Sequence, residues 1–153
     1  MEAYQSTLED FDGWIRLAKE VEPLFGPMVG DPGFQEGLGR AISNGDAFCI
    51  RTADLEKGQT LQGGLIVSRE ANEILWLAVA EESRGRGIGK ALLKKAVECL
   101  DPIRPITVTT FEGSVEAGLP ARNLYRKFGF NDSTPGDINP AGIPTVVMIR
   151  SNK

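Results

Sequence analysis

Histidine is absent from the 153 residues. That excludes Ser-His-Asp and Cys-His catalysis and removes the usual zinc ligands, so no metal site is expected. Cysteine is nearly absent: Cys49 and Cys99 stand far apart in apolar contexts, without metal-ligand spacing, and read as reduced core residues. No apolar run approaches membrane-spanning length, and Met1-Glu2-Ala3-Tyr4-Gln5 carries no apolar signal core. A cytoplasmic protein that does not engage the membrane is expected. A basic surplus is lacking too: 17 basic against 21 acidic residues give a net charge of −4, so nucleic acid is not an expected partner. With 41% hydrophobic residues, there is enough apolar material for one real core, and one domain is expected over residues 1–153. Repeats, low-complexity tracts and a second domain are not seen.

What is present is organised around residues 74–100. The apolar run Ile74-Leu75-Trp76-Leu77-Ala78-Val79 leads through Ala80-Glu81-Glu82-Ser83 into Arg84-Gly85-Arg86-Gly87-Ile88-Gly89-Lys90. The helix that follows is legible from its stripe of Ile88, Leu92, Leu93, Ala96, Val97 and Leu100. Lys90, Lys94, Lys95 and Glu98 take its other face, and Asp101-Pro102 stops it. Strand, glycine loop and helix N-terminus together suit an anion, because backbone N–H groups converge where the helix dipole favours negative charge. Arg84 and Arg86 add full charges for phosphate oxygens. The dinucleotide pattern G-x-G-x-x-G fails, since Lys90 stands where its last glycine belongs. The Walker A pattern fails at Arg84, in place of its first glycine, and at Ala91, in place of its hydroxyl. R-x-x-G-x-G remains, filled by Arg84, Gly87 and Gly89. It resembles the acyl-CoA pyrophosphate loop of the GNAT superfamily of N-acyltransferases.

The flanking chain reads as follows. Tyr4 to Thr7 suits a short strand, and Leu8 opens a helix to about Val21, with Phe11, Trp14, Ile15, Leu17 and Ala18 buried and Glu22-Pro23 ending it. Leu24 to Gly33 reads as a loop, either a substrate wall or a connector. A helix over Phe34 to Asn44, weakened by Gly37 and Gly39, precedes strands at Ala47–Arg51 and Gly63–Ser68. The polar link from Asp54 to Gln59 makes those strands an antiparallel pair. The unbroken apolar run of residues 74–79 predicts a central strand covered on both faces. After the helix, Ile106 to Phe111 is β-branched and strand-like, and this strand–helix–strand unit requires a parallel pairing. Pro120 begins a helix that Gly129 caps, and Phe130 starts a strand. Asp132 to Gly142 reads as a loop before a last strand at Thr145–Ile149.

Ala121-Arg122-Asn123-Leu124-Tyr125-Arg126-Lys127-Phe128-Gly129-Phe130 resembles the C-terminal GNAT signature A-x-x-L-Y-x-x-x-G-F. Two motifs in the family's order, with matching elements over nearly the whole chain, identify it as similar to that superfamily. The implied fold is α/β (α+β): a central mixed, mostly antiparallel sheet, splayed at strands 74–79 and 105–111 and flanked by about four helices.

The resemblance also implies roles. Backbone groups of Leu77, Ala78 and Val79 would pair with the pantetheine arm where the strand splays from Thr107 to Thr110. N–H groups from Gly85 to Lys90 would hold the pyrophosphate, and the Tyr125 hydroxyl would protonate the departing thiolate. The co-substrate would be acetyl-CoA, and the acceptor a primary amine of a small molecule or protein, attacking directly. Glu73 is the candidate general base, six residues before Val79, with Glu112, Glu116 and water as alternatives. One departure stands out: the family often carries an asparagine seven residues before the tyrosine, and here that position is Gly118. A non-catalytic CoA-binding module, or use of another acyl-CoA, is the competing function, and a homodimer is open.

Overall fold

The computed structural model describes residues 1–51 and 60–151. The polar link at Asp54–Gln59 lies outside them. The elements in chain order are β1 (Tyr4–Gln5), α1 (Phe11–Phe25), α2 (Pro32–Ser43), β2 (Ala47–Arg51), β3 (Leu61–Ser68), β4 (Glu73–Val79), α3 (Ile88–Cys99), β5 (Ile106–Phe111), α4 (Leu119–Lys127), β6 (Phe130–Ile138) and β7 (Pro144–Arg150). Among the described residues these form one seven-stranded sheet of order β1-β2-β3-β4-β5-β7-β6. Only β4 and β5 run parallel, so the sheet is mixed and mostly antiparallel, with β4 at its centre. The layers are helix–sheet–helix, the expected α/β (α+β) arrangement. On one face α1 and α2 bury Trp14, Leu17, Leu38 and Ile42 against β2 and β3. On the other, α3 and α4 bury Ile88, Leu92, Leu93 and Tyr125 against Leu65, Val108 and Met148.

Pairing between β4 and β5 covers only Glu73↔Thr107 and Ile74↔Val108, although both strands continue. Two local devices open the sheet there. Asn72, in left-handed backbone at φ 54° and buried, clamps the closed end: its Nδ2 donates to the carbonyls of Asp101, Arg104 and Pro105, and its Oδ1 accepts from Asp101 N–H at 2.8 Å. Asparagine tolerates that conformation better than other non-glycine residues. Just beyond it, Ile66 pairs with Trp76 but Val67 with Ile74, leaving Leu75 as the extra residue of a β-bulge. The bulge reverses the alternation of β4. Ile74, Leu77 and Val79 consequently face α3, while Trp76 faces α1.

Three expectations are corrected. The run 74–79 is central but not covered on both faces, for Leu75 is 54% exposed at the bulge. Helix α1 does not end at Glu22-Pro23 but runs to Phe25. Pro23 forfeits only its own N–H, while Gly26 N–H bonds the Glu22 carbonyl at 2.7 Å and closes the turn beyond it. Residues 132–138, read as loop, belong to β6. Its side chains are almost all exposed, and two register irregularities and Pro135 interrupt it, as suits an outermost strand, so no alternation marks it.

Helix starts follow local chemistry. Thr7 and Asp10 form a capping box ahead of α1, with Thr7 N–H donating to Asp10 Oδ2 at 2.8 Å. Asp31 caps α2 by accepting Gly33 N–H, with Pro32 as its first residue.

Candidate active site

A cavity of about 680 Å³ passes through the opened sheet between β4 and β5. At one end stand Arg84, Gly85, Gly87 and Lys90, at the N-terminus of α3. Leu77, Ala78 and Val79 line its middle, facing Thr109 and Thr110 across the gap. Tyr125 and Leu124 wall it on the α4 side, and Val21, Leu24, Phe25 and Trp76 on the α1 side.

Helix α3 begins without a side-chain cap. Among the described residues, the N–H groups of Gly87 through Lys90 find no acceptor. Gly85 and Gly87 hold φ of +77° and +82°, a region that disfavours side chains, and a Cβ on either would meet no atom within 4 Å. The glycines thus serve backbone direction and leave open space before a row of unbonded donors. With the Arg84 and Lys90 side chains alongside, this site fits a pyrophosphate.

Tyr125 is buried at 4% exposure, its ring tilted onto Phe130 with centroids 5.6 Å apart. Among the described residues its hydroxyl makes no hydrogen bond. Burial pushes that hydroxyl well above the ordinary phenol range, so it stays protonated at any working pH. One turn earlier the buried Arg122 ties α4 to the sheet, donating to the Phe111 carbonyl and, at 3.0 Å, to Asp132 Oδ2. Gly118 has a packing explanation: a Cβ there would stand 2.6 Å from Cβ of Phe111, so an asparagine side chain has no room.

The structure therefore brings together Leu77, Ala78, Val79, Arg84, Gly85, Gly87, Ile88, Gly89, Lys90 and Tyr125 around one cavity. Arg86 is exposed and outside its lining. Glu73 sits at the closed end of the splay, paired with Ser68 and Thr107, and does not line the cavity. Glu112, which accepts the Ser114 hydroxyl, and Glu116, in a short 3₁₀ turn, do not line it either. Leu24 and Phe25, in the segment read as either a substrate wall or a connector, do line the cavity. Sequence reasoning missed Phe111, Asn139 and Thr145 as lining residues; only the apolar character of Phe111 hinted at a buried role, and nothing local marked the three as cavity walls.

The acetyltransferase (GNAT) domain family matches residues 44–132, more than half of the chain. No curated protein matches it. Among solved structures, a GNAT-family acetyltransferase from Bacillus cereus is 15% identical with a TM-score of 0.72, over 99% of this chain and 97% of its own. Ard1 from Thermoplasma volcanium is 17% identical with a TM-score of 0.72, over 97% and 95%. Arabidopsis thaliana NAA60, solved in complex with acetyl-CoA, is 17% identical with a TM-score of 0.68, again over 97% and 95%. With this fold and this sequence match, the chain belongs to the GNAT acetyltransferase family.

Proposed function

We propose that this protein is an N-acyltransferase that moves an acetyl group from acetyl-CoA to a primary amine by direct attack. The observation that carries the reading is the Tyr125 hydroxyl, held protonated and without a hydrogen-bond partner among the described residues, on a cavity that begins at the N-terminus of α3 and crosses the sheet. When bound, acetyl-CoA supplies an acyl group activated as a thioester. N–H groups of residues 85–90 and the Arg84 side chain hold its pyrophosphate. The free edge of β4 at Leu77–Val79 orients the arm, and the Val79 N–H stabilises charge on the carbonyl oxygen. As the C–N bond forms and the C–S bond breaks, the electron pair leaves on sulfur and Tyr125 donates its proton there. The amine loses a proton to water in the cavity, which passes it on to solvent, since Glu73, Glu112 and Glu116 all stand outside the lining.

The test is release of free thiol from acetyl-CoA over an amine panel, with Tyr125→Phe as control. Release that depends on amine and falls in the variant supports the enzyme. CoA binding without release on any amine favours a binding module.

A further inference from the structure

Opposite the pyrophosphate end, the cavity is walled by aromatic rings. Phe25 stands edge-on to Trp76 (centroids 5.8 Å apart, planes at 87°) and to Phe111 (6.0 Å, 76°). Trp76 is backed in turn by Trp14 at 5.3 Å, which is fully buried and donates its Nε1–H to Ser6 Oγ at 3.0 Å. Phe25 and Trp76 are half-buried, and Phe111 is buried.

Of the polar groups nearby, Asn139 and Thr145 are engaged, whereas the buried Trp76 Nε1–H has no partner among the described residues. Asn139 donates to the Leu24 carbonyl at 2.9 Å and accepts the N–H groups of Ala141 and Ile143. The Thr145 hydroxyl donates to the Asp137 carbonyl. Charge is one-sided as well. Among the described lining residues the charged side chains are Arg84, Lys90 and Lys127, and none is Asp or Glu. On α1, Glu22 accepts the N–H groups of Met28 and Val29, and Glu20 that of Glu81, and neither lines the cavity.

An alkylammonium group entering this chamber leaves water without a counter-ion, which is costly, and a polycation does so repeatedly. Aromatic faces do attract cations, but here every charged side chain sharing the cavity is itself positive. A flat apolar body meets three rings at spacings suited to edge and offset contact. Resting on the acyltransferase reading above, we infer that the acceptor is a primary amine carried on an aromatic body and admitted as its free base, and not a polyamine, an aminoglycoside or a lysine side chain. The Phe25–Trp76–Phe111 wall is its specificity element.

The experiment has two arms. Thiol release is compared for 2-phenylethylamine, spermidine and Nα-acetyl-lysine amide. Separately, 2-phenylethanol, which lacks the amine, is titrated into the CoA-bound protein by tryptophan fluorescence, in wild type and Phe25→Ala. The expected result is a kcat/KM for 2-phenylethylamine at least tenfold above the other two, rising with pH as free base accumulates. Phe25→Ala should raise its KM about tenfold with little change in kcat, and weaken 2-phenylethanol in parallel. Preference for spermidine or the lysine amide overturns the inference while leaving the acyltransferase standing. Binding of 2-phenylethanol that depends on Phe25, with no amine acylated, upholds the aromatic chamber and sinks the acyltransferase. Wild type that neither binds 2-phenylethanol nor prefers the aromatic amine overturns the chamber whatever the variant does.

Discussion

Gly64 packs so closely against the Trp14 indole that a Cβ there would lie 2.5 Å from Cη2 and 2.7 Å from Cζ3. Its neighbour Gly63 does the same on the opposite face, where a Cβ would stand 2.7 Å from Cγ2 of Ile88. Two adjacent glycines of β3 therefore let α1 and α3 approach the sheet from its two sides. The contact reaches the cavity, since Trp14 supports Trp76.

Gly64→Ala forces Trp14 to shift in a packed layer. Overpacking of this kind costs about 1–3 kcal/mol, or roughly 2–10 °C in Tm for a chain of this size. Thermal unfolding measures it. An unchanged Tm would mean that α1 moves away freely and does not fix the aromatic wall.

Gly87→Glu places a side chain at φ +82° and a carboxylate before the α3 N-terminus. The strain is about 1–2 kcal/mol, small enough for the domain to stay folded. Calorimetric titration should then detect no CoA binding, because like charge and bulk block the approach of phosphate to the N–H groups. Wild-type affinity in this variant would remove the loop from the cofactor site.

Tyr125→Phe removes a hydroxyl that makes no hydrogen bond among the described residues, so stability at pH 7 should hardly change. Turnover should fall by about 10²-fold, the lower end for loss of a proton donor, because thiolate leaves readily. CoA affinity should persist. Burial raises the folded hydroxyl above its unfolded value near 10. Its linkage contribution is therefore complete below about pH 10 and is lost as pH rises from there toward the folded value. Wild type should lose stability above pH 10 more steeply than Tyr125→Phe in alkaline denaturation. Equal slopes would mean that the hydroxyl ionises as freely in the fold as outside it.

Asp10 is fully buried and receives Arg51 Nε and Nη2, each at 2.7 Å, as well as the Thr7 N–H. Burial alone would raise its carboxyl, but the bonds from Arg51 and Thr7 outweigh that and hold it below the ordinary aspartate value. The stabilisation is present above about pH 4 and is lost as pH falls through the depressed folded value. Asp10→Ala should cost no more than the low end of about 3–5 kcal/mol, because the abandoned Arg51 keeps 34% of its side chain exposed. Urea unfolding at pH 7 and pH 3 checks both statements: the gap between wild type and variant should narrow at the lower pH.

The sequence by itself determined the parts whose information is local. The α3 stripe repeats at helical spacing, and all of Ile88, Leu92, Leu93, Ala96 and Leu100 are buried. The glycine loop needs left-handed backbone at Gly85 and Gly87, and Gly129, at φ +90°, follows the tyrosine helix. Such features are fixed within a few residues of chain, so the family was legible from them.

Tertiary structure alone decided the cavity. Its walls join residues from Val21 to Thr145, and no window of sequence spans them. How far the sheet opens depends on the Asn72 clamp and on the register slip at Leu75, which exists only relative to β3. The aromatic wall required α1 to continue past Pro23, which the turn closed by Gly26 permits and a local proline rule forbids. Glu73 falls outside the lining for the same reason: an offset along a strand gives a residue's place in the chain, whereas pairing with Ser68 and Thr107 sets what it can reach.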